Sequence, residues 1–270
     1  MTLTVEILGS NATAPSAAGP ASGYLLRTEA GMVLVDAGPG VMAEYVSRHS
    51  LSDLRAIVVT HLHADHSLDL MAFAYRWTFP ERLPRIPLYL PEEDLPRLRA
   101  FDAVFGIDTL PGMESPTHAA WDVRGLRLDG SAEEGWEELG LQLRSYRAHH
   151  PVPAACLRFS SVAEEAVVAF SGDTGHCEGL LQAAQDADVF ICEATYLKAD
   201  PQATDGHGHL TARMAGEAAA QAGAGHLVLS HFGLDEMRAV AGEHVAEVFD
   251  GTVSAAERGA VYGPGRVTVS

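Results

Sequence analysis

The sequence predicts an α/β protein, and three observations predict it. Short apolar runs such as Ala56-Ile57-Val58-Val59, Val189-Phe190-Ile191-Cys192 and Leu227-Val228-Leu229 have the length and composition of strands buried on both faces. Stretches with helical apolar spacing, at 68–77, 95–105 and 211–222, lie between such runs. The strands before His61, Asp173, Glu193 and His231 each end in a residue able to bind a metal or move a proton, and function in α/β sheets gathers at strand C-terminal ends. At 270 residues, 47% of them hydrophobic, the chain is long enough for one large domain with a sizeable core. No linker, repeat or composition break divides it, so a single domain over 1–270 is expected.

The net charge is −18, and no basic run occurs anywhere. Tight binding to a nucleic-acid backbone needs Lys and Arg to displace counterions, so that class of function is disfavoured. No apolar run approaches the length of a membrane span, and the first residues lack the basic start and long apolar stretch of a signal peptide. A cytoplasmic location is the expectation. Cys156, Cys177 and Cys192 are odd in number and widely spaced, which fits reduced thiols in or near the core and not a disulfide framework.

Taken in order, residues 3–8 alternate as a strand, and 11–22, rich in Ala, Pro, Gly and Ser, read as a loop. Two strands, 24–27 and 32–35, turn at Glu29-Ala30-Gly31. Asp36 follows; it either caps the helix expected at 41–49 or orients a metal-bound histidine. The helix at 68–77 places Leu68, Met71, Ala72 and Tyr75 on one face. Five prolines between 79 and 96 leave room for one short strand at 86–90, before a helix carrying Leu95, Leu98, Phe101, Val104 and Phe105. Trp77, Phe79, Phe101 and Phe105 are expected in the core. Residues 106–125 read as irregular, and Glu133, Glu134, Glu137 and Glu138 as a solvated acidic patch around Trp136.

A strand at 141–146 leads into His149-His150-Pro151; neighbouring strand residues face opposite ways, so one of this pair reaches a given site. Runs 156–159 and 167–170 form a hairpin that ends at Ser171-Gly172-Asp173-Thr174. Thr211 is the expected N-cap of an Ala-rich helix that Gly223 ends.

The chemistry concentrates in Thr60-His61-Leu62-His63-Ala64-Asp65-His66. Crowding three imidazoles and a carboxylate into six positions is costly unless something rewards it, and a divalent transition metal does. His61 and His63 alternate on one side of an extended turn, while Asp65 and His66 point elsewhere, so one pair for each of two ions is the natural division. The alternative is a histidine-rich surface loop with Asp65 as a helix cap.

These residues resemble the metallo-β-lactamase superfamily. The resemblance spans nearly the whole chain and rests on Asp36, His61-x-His63-x-Asp65-His66, His150 in a His-Pro step, Ser171-Gly172-Asp173-Thr174 and Ser230-His231-Phe232. It implies a four-layer αββα sandwich with a binuclear site. By the family pattern His61, His63 and His150 hold one Zn2+, Asp65, His66 and His231 the other, and Asp173 bridges; Mn2+ or Fe2+ are possible substitutes. Cys192-Glu193-Ala194-Thr195 and Gly208-His209-Leu210-Thr211 are similar to motifs of the ribonuclease Z branch, which also includes arylsulfatase-like and phosphodiesterase-like members. The similarity implies that His209 is a general acid beside the leaving oxygen, that Glu193 holds its other nitrogen, and that Asp65 belongs to the catalytic set. Relatives of this kind are often homodimers. His49, His118, His176, His226 and His244 have no ligand context, and His207 reads as a solvated loop histidine.

The chain departs from tRNA-processing members in one respect. Those carry a long basic arm between the equivalents of His150 and Asp173, where this chain has 22 residues. A small ester, most of all a phosphodiester, is therefore expected as substrate, with sulfate ester, carboxylic ester and lactone as alternatives and tRNA disfavoured. An iron-dependent oxidoreductase of the same fold is the reading from another class; flavin-linked members typically place a glutamate where this chain has His63.

Overall fold

The computed structural model describes residues 3–268 apart from 134, 164, 199 and 201. Its strands in chain order are β1 (Thr4–Gly9), β2 (Gly23–Arg27), β3 (Met32–Val35), β4 (Leu54–Val58), β5 (Ile86–Pro91), β6 (Trp121–Leu126), β7 (Asp129–Ala132), β8 (Leu141–Arg147), β9 (Ala155–Ser161), β10 (Val167–Phe170), β11 (Val189–Glu193), β12 (His226–Ser230), β13 (Thr252–Ala255), β14 (Val261–Gly263) and β15 (Arg266–Thr268). The helices are α1 (Val41–Arg48), α2 (Ala64–Ser67), α3 (Leu70–Thr78), α4 (Leu95–Phe105), α5 (Pro116–Ala120), α6 (Glu178–Ala184), α7 (Ala212–Ala222) and α8 (Met237–Val245). Among the described residues the strands form an eight-stranded sheet, ordered β15-β14-β1-β2-β3-β4-β5-β6, and a seven-stranded sheet, ordered β13-β12-β11-β10-β9-β8-β7.

Three apolar cores separate four layers. Successive strand residues face opposite ways, so a strand covered on both sides supplies two cores at once. In β2, Tyr24 and Leu26 enter the core between the sheets, while Leu25 packs with Tyr45 of α1 and Phe73 and Trp77 of α3. In β11, Val189 and Ile191 face the other sheet, while Phe190 and Cys192 pack with Leu180 of α6 and the alanines of α7. The result is the four-layer αββα sandwich. It explains why the apolar runs are continuous and not alternating.

Helix α7 has the boundaries expected of it. The Thr211 hydroxyl accepts from the Met214 N–H, and Gly223, at φ 70°, closes the helix in the left-handed conformation. Its buried Ala215, Ala218, Ala219 and Ala222 let the helix lie close to the sheet. Among the described residues no helix is long and apolar enough to cross a membrane.

Three expectations are corrected. The buried face of α3 is Leu70, Phe73, Ala74 and Trp77 with Met71; Leu68 and Ala72 are exposed, because α2 ends before Leu68 and a new helix starts at Leu70. Phe79, at 68% exposure, and Phe105 lie outside the core, since each sits at or beyond the C-terminal end of its helix; Trp77 is buried and Phe101 half-buried. Residues 106–125 are not irregular throughout. They include α5 and most of β6, an edge strand whose Asp122 and Arg124 face solvent and mask its period. In the acidic patch Glu137 and Glu138 are exposed and Trp136 is buried between the sheets; Glu134 lies outside the described residues.

Candidate metal centre

Strand ends from both sheets converge on one point. Parallel β3 and β4 deliver Asp36 and the 60–66 loop; parallel β10, β11 and β12 deliver Asp173, Glu193 and His231. Asp36 and His231 take positive φ, 61° and 54°, a conformation that non-glycine residues rarely adopt outside sites that over-determine it.

The Asp173 carboxylate stands in the middle. Its Oδ1 is 3.1 Å from His66 Nε2 and 3.3 Å from His231 Nε2, and its Oδ2 is 3.7 Å from His61 Nε2. Two donor groups thus share it: His61, His63 and His150 on one side, Asp65, His66 and His231 on the other, each set within 4.8 Å.

The ring tautomers follow from the outer partners. His66 Nδ1 donates to the buried Asp36 at 2.7 Å, and Asp36 is fixed by the Thr60 N–H and hydroxyl. Asp36 therefore orients a histidine; α1 starts after Gly40 without a side-chain cap. The Thr195 hydroxyl donates to the Glu193 carboxylate and so accepts from His231 Nδ1, at 2.9 Å. His150 Nδ1 donates to the Gly208 carbonyl at 3.1 Å. Gly208 has φ 72°, and a Cβ there would fall 2.1 Å from the His149 carbonyl oxygen, which explains a glycine between His207 and His209.

These ties leave lone pairs facing one another. His66 Nε2 and His231 Nε2 are 3.2 Å apart, and His150 Nε2 and His63 Nδ1 are 3.1 Å apart. His61 Nε2 and Asp173 Oδ1 are buried and accept or donate no well-directed hydrogen bond. Converging lone pairs repel unless a cation sits between them, and two nitrogens in a tetrahedral zinc shell lie about 3.3 Å apart. The donor sets therefore fit two divalent ions.

The electrostatics agree. Burial pushes the His61 and His63 rings down and His150 down to about 4, which keeps them neutral, the state in which imidazole binds a metal. Burial opposes charge at His66 too, but the carboxylates of Asp173 and Asp36 raise it well above its ordinary value: the field favours a positive charge there. Asp173 and Asp65 are held well below the carboxylate range; burial works against this, and His231 and His66 outweigh it.

Glu193 and His209 lie against the second donor set. His209 Nδ1 is 3.1 Å from both Glu193 oxygens, and its ring stacks on His231 at 5.9 Å. Burial lowers the His209 pKa, and the hydrogen bond and charge of Glu193 more than reverse this. Glu193 also accepts from the N–H groups of Thr174 and Leu210.

Every residue singled out for the site is thus within one constellation. His150 faces it, while His149 is exposed and bonds the Asp205 carbonyl. The exposed His207 ring comes within 5.8 Å of His150 and 5.4 Å of His209, closer than a purely solvated reading implies. Thr60, Thr195 and Gly208 stand inside the motifs, but their positioning roles, like that of the Thr13 N–H, which donates to Asp65 at 2.7 Å, do not show in the sequence, because main-chain donors and acceptors and the partners of a hydroxyl leave no signal there.

Comparison with known proteins agrees with this architecture. A family model described as β-lactamase superfamily domain matches residues 32–232. An uncharacterised protein of Mycobacterium leprae is 33% identical over 267 residues, covering 97% of this chain and 89% of that protein. A ribonuclease Z of Streptomyces avermitilis is 30% identical over 259 residues, covering 84% of this chain and 85% of the enzyme. The crystal structure of the metallo-β-lactamase-fold protein YhfI from Bacillus subtilis superposes with a TM-score of 0.80 at 21% identity, over 97% of this chain and all of the other. With fold, strand-end residues and relatives in agreement, the chain belongs to the β-lactamase superfamily of metallo-hydrolases, among relatives that include ribonuclease Z.

Proposed function

We propose that the protein is a binuclear zinc hydrolase that cleaves small phosphodiesters. The observation that carries the reading is the placement of Asp173, one oxygen toward each donor set, with the Glu193–His209 pair beside the second. His61, His63 and His150 would hold one ion, and Asp65, His66 and His231 the other, with Asp173 between them. Bound there, such ions supply Lewis acidity and lower the pKa of water into the neutral range.

The chain's own residues supply the rest. His209, whose charged form the Glu193 contact at Nδ1 favours, would give a proton from Nε2 to the departing oxygen. Glu193 stays in place because Thr174, Thr195 and Leu210 also donate to it. The Thr13 N–H steadies Asp65.

Two features support a small phosphodiester. The relative named ribonuclease Z points to that bond type. The 22 residues between His150 and Asp173 hold β9, β10 and their connections, with no basic arm to grip a long RNA, and the chain carries −18. Elemental analysis of purified protein should find close to two zinc per chain, and bis(4-nitrophenyl) phosphate should be cleaved faster than unprocessed tRNA. Preferred cleavage of tRNA, or iron with a visible absorption band and no hydrolysis, would sink the reading.

A further inference from the structure

His207 lies beside the candidate metal centre and belongs to neither donor set nor to the Glu193–His209 pair. The main chain fixes its place. The carbonyl of the next residue, Gly208, accepts from His150 Nδ1 at 3.1 Å, and a Cβ at 208 would strike the His149 carbonyl oxygen. The stretch that aims His150 therefore also carries His207.

Three imidazoles follow one another outward. The His209 ring stacks on His231 at 5.9 Å with 19° between the planes, and the His207 ring lies 5.4 Å beyond His209, tilted by 37°. His231 is 3% exposed, His209 7%, and His207 is open to solvent. The row thus runs from a candidate metal ligand, through the candidate acid, to the surface. His150 stands edge-on to His209 and His207, at 5.2 and 5.8 Å, and Tyr196 edge-on to His209 at 5.8 Å. A leaving oxygen at His209 therefore has rings for neighbours. His231 closes the inner end of the row, so the rest of the leaving group extends outward, past His207. An exposed ring adds little to the fold, and among the described residues no hydrogen bond or ion pair engages that of His207.

We propose that the His207 ring stacks on the leaving group, and that the enzyme therefore prefers phosphodiesters whose departing oxygen carries an aromatic ring. The 5.4 Å between His209 and His207 is about the reach of an aryl group from the oxygen that bears it. Offset or tilted ring pairs attract at centroid spacings of about 4.5–7 Å. A flat, uncharged group also suits the rim of a chain carrying −18, where further negative charge is repelled. Which bond breaks rests on the reading of the metal centre above; the ring contact at the rim does not.

The probes are methyl 4-nitrophenyl phosphate and methyl trifluoroethyl phosphate, on the zinc-loaded full chain. Methanol leaves poorly, so the aryl or fluoroalkyl alcohol departs. Inherent reactivity cancels when the aryl-to-alkyl ratio of kcat/KM is compared between variants. That ratio should fall about five-fold in His207→Ala, through KM, because stacking acts on bound substrate and transition state alike. His207→Phe keeps a ring without nitrogens and should hold the ratio near its original value. His207→Asn keeps a hydrogen-bonding group without the ring and should lose it. A ratio unchanged in His207→Ala, or kept by Asn and lost with Phe, overturns the stacking. Calorimetry reads the contact without turnover: phenylphosphonate should bind more tightly than methylphosphonate, and His207→Ala should remove most of that difference. Equal affinities in the unaltered protein overturn the proposal as well. A preference for phenylphosphonate that depends on His207, in a protein that cleaves neither diester, would instead leave the aromatic site standing and overturn the hydrolase reading.

Discussion

The two donor sets share Asp173 and differ in how they are held. In the set of Asp65, His66 and His231 every residue is buried, and the rings are aimed by side chains: Asp36 on His66 and Thr195 on His231. In the set of His61, His63 and His150 two rings are half-buried, and His150 is aimed by the main-chain carbonyl of Gly208. Nearly the same chemistry thus occupies a closed and an open environment. Low dielectric strengthens charge–dipole contacts in the closed set, while solvent access at the open set suits entry and exchange. On the proposed reading, a chelator should empty the open set first and the closed set later.

The largest effect expected is from Asp173→Ala, because it removes the one carboxylate common to both sets. Metal content should fall toward zero and hydrolysis by more than about a thousand-fold, whereas His63→Ala should lose one ion and keep the other. Elemental analysis of the two variants side by side checks this; a variant of Asp173 that keeps both ions would break the comparison.

His209→Ala comes next. It should lower kcat by about a hundred-fold or more with metal content intact, since His209 belongs to neither set. The pH dependence has a definite sign. Glu193 raises the His209 pKa, so the acid form persists to higher pH, and activity falls as pH rises through that value. Glu193→Gln removes the charge that raises it, so the alkaline limb of the kcat profile should move to lower pH. A limb that stays in place would show that another group sets it.

Asp36→Ala should follow, with about a hundred-fold loss of metal affinity at the closed set and little change at the open one. Equilibrium dialysis that resolves the two sites measures it. Similar losses at both would mean that Asp36 supports the fold around the site and not one ring.

The contrast also explains what the sequence reveals. His61, Asp173, Glu193 and His231 are legible because each follows an apolar strand, and such strands end at one rim in this fold. The phase of α3 is not legible: Leu68, Leu70, Met71, Ala72, Phe73 and Ala74 are apolar on every side, so spacing does not choose a face, and the break at Leu68–Asp69 does. Edge strand β6 hides behind Asp122 and Arg124. Asp36 reads equally as a cap or a tether until His66, thirty positions away, is seen against it. Four of the seven candidate ligands, His61, His63, Asp65 and His66, stand together in the sequence, whereas Asp36 and Thr195, which aim two of the rings, meet them only in space.

The smallest effect isolates this last point. Thr195 links the two functions of the closed side, because its hydroxyl donates to Glu193 and accepts from His231 Nδ1. Thr195→Val keeps the shape and removes both bonds. His231 then loses the acceptor that fixes its tautomer, so affinity at the closed set should fall about ten-fold, near the lower end for an outer partner. Thr195→Ser restores a hydroxyl and should return most of it. At His150 no equivalent substitution exists, since a carbonyl aims that ring; the affinity of the open set should be unchanged in both variants. If Thr195→Val weakened the open set as well, the two environments would not be independent, and Asp173 would be transmitting the change between them.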